Sequence, residues 1–379
     1  MDALEQQIDE LFDCPADVRL AAVVDRVGPR LDRAAGNVYL YGAGQLGKST
    51  LALIRRCGIT PAGFLDSNPE KHGTAVDGLP VFSLGHIIDA KVSSLLAVVT
   101  VYNCRPVLDS LKKAGIPAAT FAELAWTVGG PLLPYLSVEQ PQELWLHRDA
   151  IRRAGALWAD HKSREEYLAQ IRWSLTLDPF TLPHHDDPGD TYFDSGIVHL
   201  GDNEVFIDCG AYDGDSLAAF MARCPTYLEA VGLEPDPLNR DACLRRFGGV
   251  EVMNRARVRL LPYAASDSRG VLTFQSLGTV ASAVDTNGTE VSAAPLDELV
   301  SAPPPTFIKM DIEGAEPMAL RGAARIMQDH APTIAACLYH ERQHLWEIPL
   351  QIAESQPRYK LFLRRYADEC WETVCYASR

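Results

Sequence analysis

The chain has 379 residues, 47% of them apolar and 22% charged, and its formal net charge is −15. At roughly 100–200 residues per domain, this length predicts two or three globular domains. An acidic surface repels phosphate backbones, and the longest basic runs are pairs such as Arg55-Arg56, so a nucleic-acid partner is not expected.

The cysteines and the N-terminus indicate the compartment. Nine cysteines are scattered without a C-x-x-C pair, which is typical of reduced thiols and not of a disulfide framework or a zinc site. The first residues, MDALEQQIDELFDC, lack the basic flank and apolar core of a signal peptide. No apolar run is long enough to span a membrane. We therefore expect a cytoplasmic protein that does not bind membranes.

Residues 1–125 alternate short apolar runs with helical patterns, as in a parallel sheet with crossover helices. We expect here a small Rossmann-like domain of the kind that binds a nucleotide or a nucleotide sugar. The predicted elements, in chain order, are a helix over 2–34, a strand over 38–41, a helix over 49–57, strands over 62–65 and 95–101, and a helix over 106–114.

The segment GAGQLGKS follows the first predicted strand and fits the motif G-x-G-x-x-G of dinucleotide-binding loops. In this interpretation Gly42, Gly44 and Gly47 precede a helix, and Asp66 ends a strand nineteen residues after the last glycine. These four residues form a candidate second nucleotide site.

The same segment also fits the P-loop motif, with Lys48 and Ser49 in the phosphate- and Mg²⁺-binding places. A P-loop enzyme needs a carboxylate after an apolar strand to hold Mg²⁺, and the strand over 95–101 is followed by Tyr102-Asn103. We favour the dinucleotide-like interpretation. The segment FLDSNPEKHGTAVDGLPVFSL also resembles a small Rossmann-like module of sugar-modifying enzymes. NAD, a nucleotide sugar, ATP and no ligand at all stay open.

Residues 126–200 are predicted to form a helical connector or cap. Aromatic residues alternate with charges over 139–175, and a Pro/Asp-rich loop follows over 178–190. Two histidines and two aspartates in that loop, His184 to Asp187, resemble a metal patch. Their polar, Pro-flanked setting is more typical of a solvated loop.

A second alternating pattern begins near residue 201 and continues to the end of the chain, so we expect a domain over 201–379. Predicted strands lie at 205–207, 230–233, 257–261, 306–310 and 333–339, predicted helices at 215–224, 237–247, 316–328 and 345–354, a hairpin insertion at 270–300, and a closing antiparallel pair at 359–365 and 371–377. The chain is therefore predicted to be an α/β protein with two Rossmann-like domains.

The segment VFIDCGAYDGD places Gly210 and Gly214 between a strand and a helix, with Asp208 at the strand end. Without a Cβ, the two glycines let a ligand approach the backbone, and Asp208 can accept hydrogen bonds from a ligand ammonium. Glu234 ends the next strand, where a carboxylate can accept both hydroxyls of a ribose. This spacing favours a ligand with an amino-acid end and a nucleoside end, and S-adenosylmethionine fits it.

The segments VFIDCGAYDGDS, VGLEPDPLN, AASDSRGVLTF, FIKMDIEGAE and WETVCYA, in this order, resemble the FkbM-type methyltransferase family over residues 203–379. The resemblance implies a class I methyltransferase fold with a mostly parallel seven-stranded sheet. It also implies S-adenosylmethionine-dependent methylation of a hydroxyl on a sugar, a polysaccharide precursor or a natural product. Cys209 and Tyr212 occupy motif positions for which no side-chain chemistry is implied. The cofactor-binding residues implied are Asp208, Gly210, Ala211, Gly214, Asp215, Glu234, Ala264 and Ala265.

Three titratable residues follow the fourth and fifth strands of this domain. Asp311 and Glu313 come after one strand and His340 after the next, and ligands of open α/β sheets bind beyond these strand ends. We expect them to be catalytic, with His340 as the general base and Asp311 orienting it or the acceptor. The alternatives are a helix N-cap for Asp311 and a structural histidine. An Asp–Glu–His set suits Mg²⁺ or Mn²⁺, but the spacing supports no metal site and none is assigned.

Two other classes of function compete with a methyltransferase. One is a nucleotide-sugar or NAD-dependent enzyme that uses the N-terminal glycine loop, although no catalytic Tyr/Lys or His is recognisable near it. The other is a non-catalytic nucleotide-binding protein. The expected partner is a small-molecule or sugar-containing acceptor, and assembly into a homo-oligomer is left open.

Overall fold

The computed structural model describes residues 3–34, 36–129, 141–274, 289–300 and 302–379. The chain divides into two units, one of residues 1–149 and 168–184 and the other of residues 150–167 and 185–379. The predicted connector, 126–200, is thus shared between the units, and its residues 130–140 lie outside the described part. The chain passes between the units within two helices, α8 (Arg148–Gly155) and α9 (His161–Thr176).

The first unit is built on a six-stranded sheet in the order β3-β4-β2-β1-β5-β6, in which β3 and β4 are antiparallel and the other neighbours are parallel. Its strands are β1 (Val38–Tyr41), β2 (Gly63–Leu65), β3 (Ala75–Val76), β4 (Leu79–Phe82), β5 (Leu96–Val99) and β6 (Ala118–Thr120). Its helices are α1 (Ala3–Phe12), α2 (Ala16–Arg33), α3 (Gln45–Arg56), α4 (Leu84–Asp89), α5 (Cys104–Lys113), α6 (Phe121–Val128) and α7 (Pro141–Leu146).

Two helices of this unit differ from the prediction. The helix predicted over 2–34 is two helices, because Pro15 interrupts the pattern and precedes α2 in an extended conformation. The helix predicted to begin at Ser49 begins at Gln45, directly after Gly44. Gly47 therefore lies inside α3, where the sequence motif suggested a loop.

The second unit is built on a seven-stranded sheet in the order β15-β16-β14-β13-β7-β8-β9. The pairings among β9, β8, β7, β13 and β14 are parallel, and those of β16 with β14 and β15 are antiparallel. The predicted number of strands is confirmed, but the sheet is mixed because the closing hairpin returns against the direction of β14. These strands are β7 (Val205–Cys209), β8 (Glu229–Leu233), β9 (Val258–Leu261), β13 (Phe307–Met310), β14 (Thr333–Cys337), β15 (Lys360–Arg365) and β16 (Thr373–Ser378).

A small three-stranded sheet and seven helices complete the described part of this unit. The small sheet consists of β10 (Ala264–Ala265), β11 (Gly270–Phe274) and β12 (Thr289–Ala294), in which β11 and β12 form the predicted hairpin and its residues 275–288 lie outside the described part. The helices are α10 (Asp215–Arg223), α11 (Pro237–Phe247), α12 (Val250–Arg255), α13 (Leu296–Leu299), α14 (Glu316–Gly322), α15 (Ala324–His330) and α16 (His344–Ser355).

The helix predicted over 316–328 is divided into α14 and α15. It ends first at Gly322, where a Cβ would lie 1.9 Å from the carbonyl oxygen of Ser266, so only a glycine lets the two backbones come this close. The end of α14 thus packs directly against the chain next to β10, a contact that no local sequence pattern indicates.

Aromatic side chains fill the space between the second sheet and the elements packed on it. The ring centroids of Phe206 and Phe220 are 4.5 Å apart, and those of Phe206 and Phe307 are 5.1 Å apart. All three side chains are fully buried, which anchors β7 and β13, the two central strands that carry the site described below.

No helix within the described ranges is long and apolar enough to cross a membrane.

The close packing around Gly47 in the first unit can be tested by substitution. A Cβ at this position would lie 2.0 Å from the carbonyl oxygen of Gly42, whereas a Cβ at Gly44 would meet no atom within 4 Å. Gly47→Ala should lower the free energy of unfolding by about 2 kcal/mol or more, and Gly44→Ala by less than about 1 kcal/mol. Urea denaturation followed by circular dichroism measures both. Equal losses in the two variants would show that the close approach at Gly47 does not constrain the fold.

Candidate active site

A buried ion pair joins the two central strands of the second sheet. The parallel register of β7 and β13 places Lys309 beside Asp208, and the Lys309 ammonium lies 3.0 Å from Asp208 Oδ1. The same ammonium donates a hydrogen bond of 2.8 Å to the carbonyl oxygen of Gly210, the first glycine of the loop after β7. Both side chains are almost completely buried. The pair therefore holds the start of the loop against the end of β13.

Burial sets the electrostatics of this pair. It raises the pKa of Asp208 to about 6, even though Lys309 acts in the opposite direction. Burial alone would lower the pKa of Lys309, but the carboxylates of Asp208 and Asp311 outweigh it and raise that pKa. Asp208 is fully buried and lies against Lys309, and the expectation that it accepts hydrogen bonds from a ligand ammonium stays a prediction.

The two glycines of the loop are needed for reasons that differ from the prediction. Gly210 and Gly214 have φ of +83° and +85°, a region that favours glycine. A Cβ at Gly210 would lie 1.9 Å from the carbonyl oxygen of Asp311, and one at Gly214 would lie 2.7 Å from the ring of Phe247. Protein atoms, and not space left for a ligand, occupy the places of the missing Cβ atoms.

Glu234 lies at the end of β8, next to this loop. Its Oε2 accepts a hydrogen bond of 2.8 Å from the backbone N–H of Tyr212, and its Oε1 accepts one of 2.8 Å from that of Asp236. Burial raises the pKa of Glu234 to about 7, although these two hydrogen bonds and one from the Asn239 side chain lower it. The ionised side chain has about four lone-pair positions, so it can accept one further hydrogen bond.

The remaining predicted cofactor residues lie around the same edge. Ala211 is buried and its N–H donates to the carbonyl of Leu233, while Asp215 is exposed in the first turn of α10. Ala264 and Ala265 form β10, three residues after β9 and paired with β12. Since β9 neighbours β8, these alanines follow the strand end next to Glu234.

Asp311 follows β13 and receives hydrogen bonds from two tyrosines. Tyr192 donates to Oδ2 over 2.8 Å, and Tyr339 donates to Oδ1 over 3.1 Å. His340 Nε2 lies 3.2 Å from Oδ1. Burial would raise the pKa of Asp311, but the contact with His340 and the charge of Lys309 lower it well below its usual range. About a quarter of the side chain stays exposed, so it can contact a molecule bound at this edge.

His340 is brought together with Asp311 and Glu313, as predicted from the strand ends. Its Nε2 lies 3.6 Å from Glu313 Oε2, and its Nδ1 lies 2.8 Å from Glu316 Oε1. Burial would lower the pKa of His340, but the carboxylates of Glu316 and Asp311 raise it well above the usual value. Both ring nitrogens face carboxylates and the ring is buried, so the geometry does not favour His340 as the group that meets an acceptor directly.

Glu313 and Glu372 are the carboxylates of this group whose pKa is raised. Burial raises the pKa of Glu313 to about 8, and the charges of Asp311 and Glu316 act in the same direction. Burial and the charge of Asp311 raise the pKa of Glu372 to about 7. Too many carboxylates share this edge for all of them to be ionised easily.

Five residues of the site were not predicted: Lys309, Tyr192, Tyr339, Glu316 and Glu372. Lys309 and Glu316 stand within the motif FIKMDIEGAE, and a lysine inside an apolar strand is a signal that it has a buried partner. Tyr339 precedes His340 in the chain. No sequence signal links Tyr192 to the site, because it comes from the Pro/Asp-rich region before β7.

Among the residues that the structure describes, Asp311, Glu316 and His340 form the group whose metal-ligand atoms all lie within 4.8 Å of one another. The patch at His184 to Asp187 does not form such a group: Asp187 caps the short 3₁₀ helix Pro188–Asp190, and Asp186 pairs with Lys162.

The glycine loop of the first unit has the geometry of a strand-to-helix turn. Gly42 has φ +121° and contacts the backbone of Thr100, and Gly44 stands open at the start of α3. Asp66 Oδ2 accepts hydrogen bonds of 2.9 Å from the N–H of Ala43 and from Lys71. The carboxylate of Asp66 is thus already engaged, and nucleotide binding here stays a prediction.

The second unit matches a known family of domains. Residues 208–369 match the family model of the methyltransferase FkbM domain. The match confirms the resemblance to this family that the sequence motifs predicted.

Solved structures extend the similarity in fold. The crystal structure of methyltransferase FkbM from Methylobacillus flagellatus KT superposes with a TM-score of 0.79 at 22% identity, covering 96% of this chain and 99% of that chain. This match includes both units and shows their fold.

Two further structures match less of the chain. Precorrin-6y C5,15-methyltransferase from Geobacter metallireducens GS-15 has a TM-score of 0.31 at 14% identity, covering 48% of this chain and 82% of that one. UDP-D-quinovosamine 4-dehydrogenase from Vibrio fischeri has a TM-score of 0.20 at 24% identity, covering 23% and 78%. Neither similarity is high enough to bear on function. A comparison with curated proteins gives no match.

The buried pair of Asp208 and Lys309 should contribute to the stability of the fold. Lys309→Met leaves Asp208 without its counter-charge, and breaking a buried pair typically costs about 3–5 kcal/mol. We expect a loss in this range from urea denaturation, and a partial recovery in the double variant Asp208→Asn/Lys309→Met, in which no charge is left unpaired. If the double variant were as unstable as the sum of the two single variants, the pair would not be coupled.

Proposed function

We propose that the protein transfers the methyl group of S-adenosylmethionine to a hydroxyl oxygen of an acceptor. The observation that carries this proposal is the placement of Glu234 beside the loop from Gly210 to Gly214, on the same sheet edge as Asp311, Glu313 and His340. One part of the edge thus suits a nucleoside, and the neighbouring part suits a reacting hydroxyl.

The residues present fit S-adenosylmethionine. Glu234 keeps an acceptor position for a ribose hydroxyl, and the loop from Gly210 to Asp215 lies next to it for the methionine half. Ala264 and Ala265 follow the adjacent strand end and would border the adenine. Asp208 acts through Lys309 and the Gly210 carbonyl by keeping the loop in place. When bound, the cofactor supplies an electrophilic methyl group on a sulfonium.

Methylation of a hydroxyl forms a carbon–oxygen bond and releases the hydroxyl proton, so the site needs a proton acceptor. Asp311 and Glu313 are the partly exposed carboxylates of the group, whereas His340 is buried behind them. We infer that Asp311 and Glu313 contact the acceptor and that the proton passes into the group that they form with His340. This exchanges the roles first predicted for the histidine and the aspartate.

The acceptor class follows from the family resemblance and from the chemistry of the edge. Carboxylates that face solvent accept hydrogen bonds from neighbouring hydroxyls, which suits a polyhydroxylated acceptor such as a sugar, a polysaccharide precursor or a glycosylated natural product. The negative charge of the same side chains disfavours acceptors that carry a phosphate next to the reacting hydroxyl.

Cofactor binding should depend on pH through Glu234. Its pKa of about 7 in the free protein means that it is mostly protonated at pH 6 and mostly ionised at pH 8, and the carboxylate accepts a ribose hydroxyl more strongly than the neutral acid does. S-adenosylhomocysteine should therefore bind about tenfold more tightly at pH 8 than at pH 6. Calorimetry at the two pH values measures this.

Glu234→Gln is the matched control, because it keeps the size of the side chain and removes the titration. The variant should bind more weakly at pH 8 and lose the pH dependence. Wild-type protein that takes up no S-adenosylhomocysteine at either pH would end the proposal of a methyltransferase that uses this cofactor.

Turnover should depend on Asp311 and Glu313. Asp311→Asn and Glu313→Gln should each lower kcat by about 100-fold, since proton transfer contributes about that much or more. The affinity for S-adenosylhomocysteine should change less than about threefold, because neither side chain is part of the cofactor loop. Transfer of a labelled methyl group to a panel of glycosides measures kcat. Near-full turnover in both variants would leave these residues with a structural role only.

A further inference from the structure

The cluster at the ends of β13 and β14 contains more ionisable side chains than proton transfer requires. It consists of Asp311, Glu313, Glu316 and His340, and the His340 ring is only 4% exposed. Neither ring nitrogen makes a hydrogen bond of ordinary geometry, although carboxylate oxygens lie close to both. Nε2 is thus a buried donor atom that points into a space bordered by Asp311 and Glu313.

We propose that Asp311, Glu313 and His340 bind a divalent cation of the Mg²⁺ and Mn²⁺ class. The inference rests on the proposed function, because the cation would lie where the acceptor hydroxyl binds. Its ligands would be a carboxylate oxygen from each acidic residue and Nε2 of the histidine.

The distances from His340 Nε2 to the two carboxylates suit a shared ion. Ligand atoms held about 2.1 Å from one ion lie about 3.0 Å apart at right angles and about 3.4 Å apart at tetrahedral angles. His340 Nε2 lies 3.2 Å from Asp311 Oδ1 and 3.6 Å from Glu313 Oε2. The group whose ligand atoms already lie within 4.8 Å of one another is Asp311, Glu316 and His340, so Glu313 would join the ion through a shift of its side chain.

Glu316 acts in this arrangement as the residue that orients the imidazole. Its Oε1 faces His340 Nδ1 at 2.8 Å, and its two oxygens accept hydrogen bonds from the N–H groups of Ile312 and Gly314. A carboxylate on the second nitrogen of a metal-binding histidine is a common supporting contact. Because Glu316 is fully buried and held by the backbone, it directs Nε2 toward the two remaining carboxylates.

The charge balance and the donor types favour the same class of ion. Lys309 is directed to Asp208 and to the Gly210 carbonyl, and its distance to Asp311 is 4.0 Å. The carboxylates of Asp311, Glu313 and Glu316 all lie close to His340, and His344 Nδ1 lies 3.5 Å from Glu316 Oε2. Two oxygens and one nitrogen form a hard donor set that suits Mg²⁺ or Mn²⁺ better than a thiophilic metal.

The test measures metal binding directly, without cofactor or acceptor. Full-length protein is treated with a chelator, dialysed and titrated with MnCl₂, and electron paramagnetic resonance reports free Mn²⁺. One ion per chain should bind to the wild type. Asp311→Asn and Glu313→Gln should each weaken binding by at least about tenfold. Asp329→Asn, which alters an exposed aspartate of the same unit, should bind like the wild type.

His340→Gln completes the set, and because the residue is buried its fold is checked by circular dichroism. Should it unfold, the two carboxylate variants decide alone. Wild-type protein that binds no Mn²⁺, or variants that bind it as well as the wild type, would overturn the inference and leave a proton as the partner of Nε2. S-adenosylhomocysteine binding, measured on the same samples, reports separately on the proposed function.

Discussion

The ion pair of Asp208 and Lys309 is the interaction on which the second unit depends. It lies between the two central strands, and through the Gly210 carbonyl it also holds the loop proposed to bind the cofactor. A charged pair in such a place costs desolvation energy that an apolar pair would not. Its advantage is geometric: one ammonium sets the distance between the loop after β7 and the carboxylate of Asp311 after β13. Cofactor and acceptor sites then share one reference point.

Much of the architecture could be predicted because the ends of the strands are recognisable in the sequence. Asp208, Glu234, Asp311 and His340 each follow a short apolar run, and parallel strands bring such ends to one edge. What could not be predicted depends on contacts between distant segments. The role of Gly210 depends on the backbone of Asp311, and the break after Gly322 depends on Ser266. Tyr192 reaches Asp311 from a region without a periodic pattern.

The carboxylates that surround His340 also show why a residue's usual chemistry is a poor guide to its role. A histidine near a reacting hydroxyl suggests a general base, yet His340 lies behind the carboxylates and its two nitrogens face acidic side chains. The partly exposed Asp311 and Glu313 take the position in front. The tertiary structure alone reveals which member of the group is exposed at this edge of the sheet.

The path of the chain between the two units has a consequence for biosynthesis. The chain enters the second unit at residue 150, returns to the first at 168 and leaves it again at 185. On the ribosome, the first unit can therefore be completed only after the helix α9 has emerged, and residues 150–167 must wait for β15, whose Leu363 N–H donates to Ser163. Until then, the buried side chains of that early segment lack the partners that cover them in the folded protein.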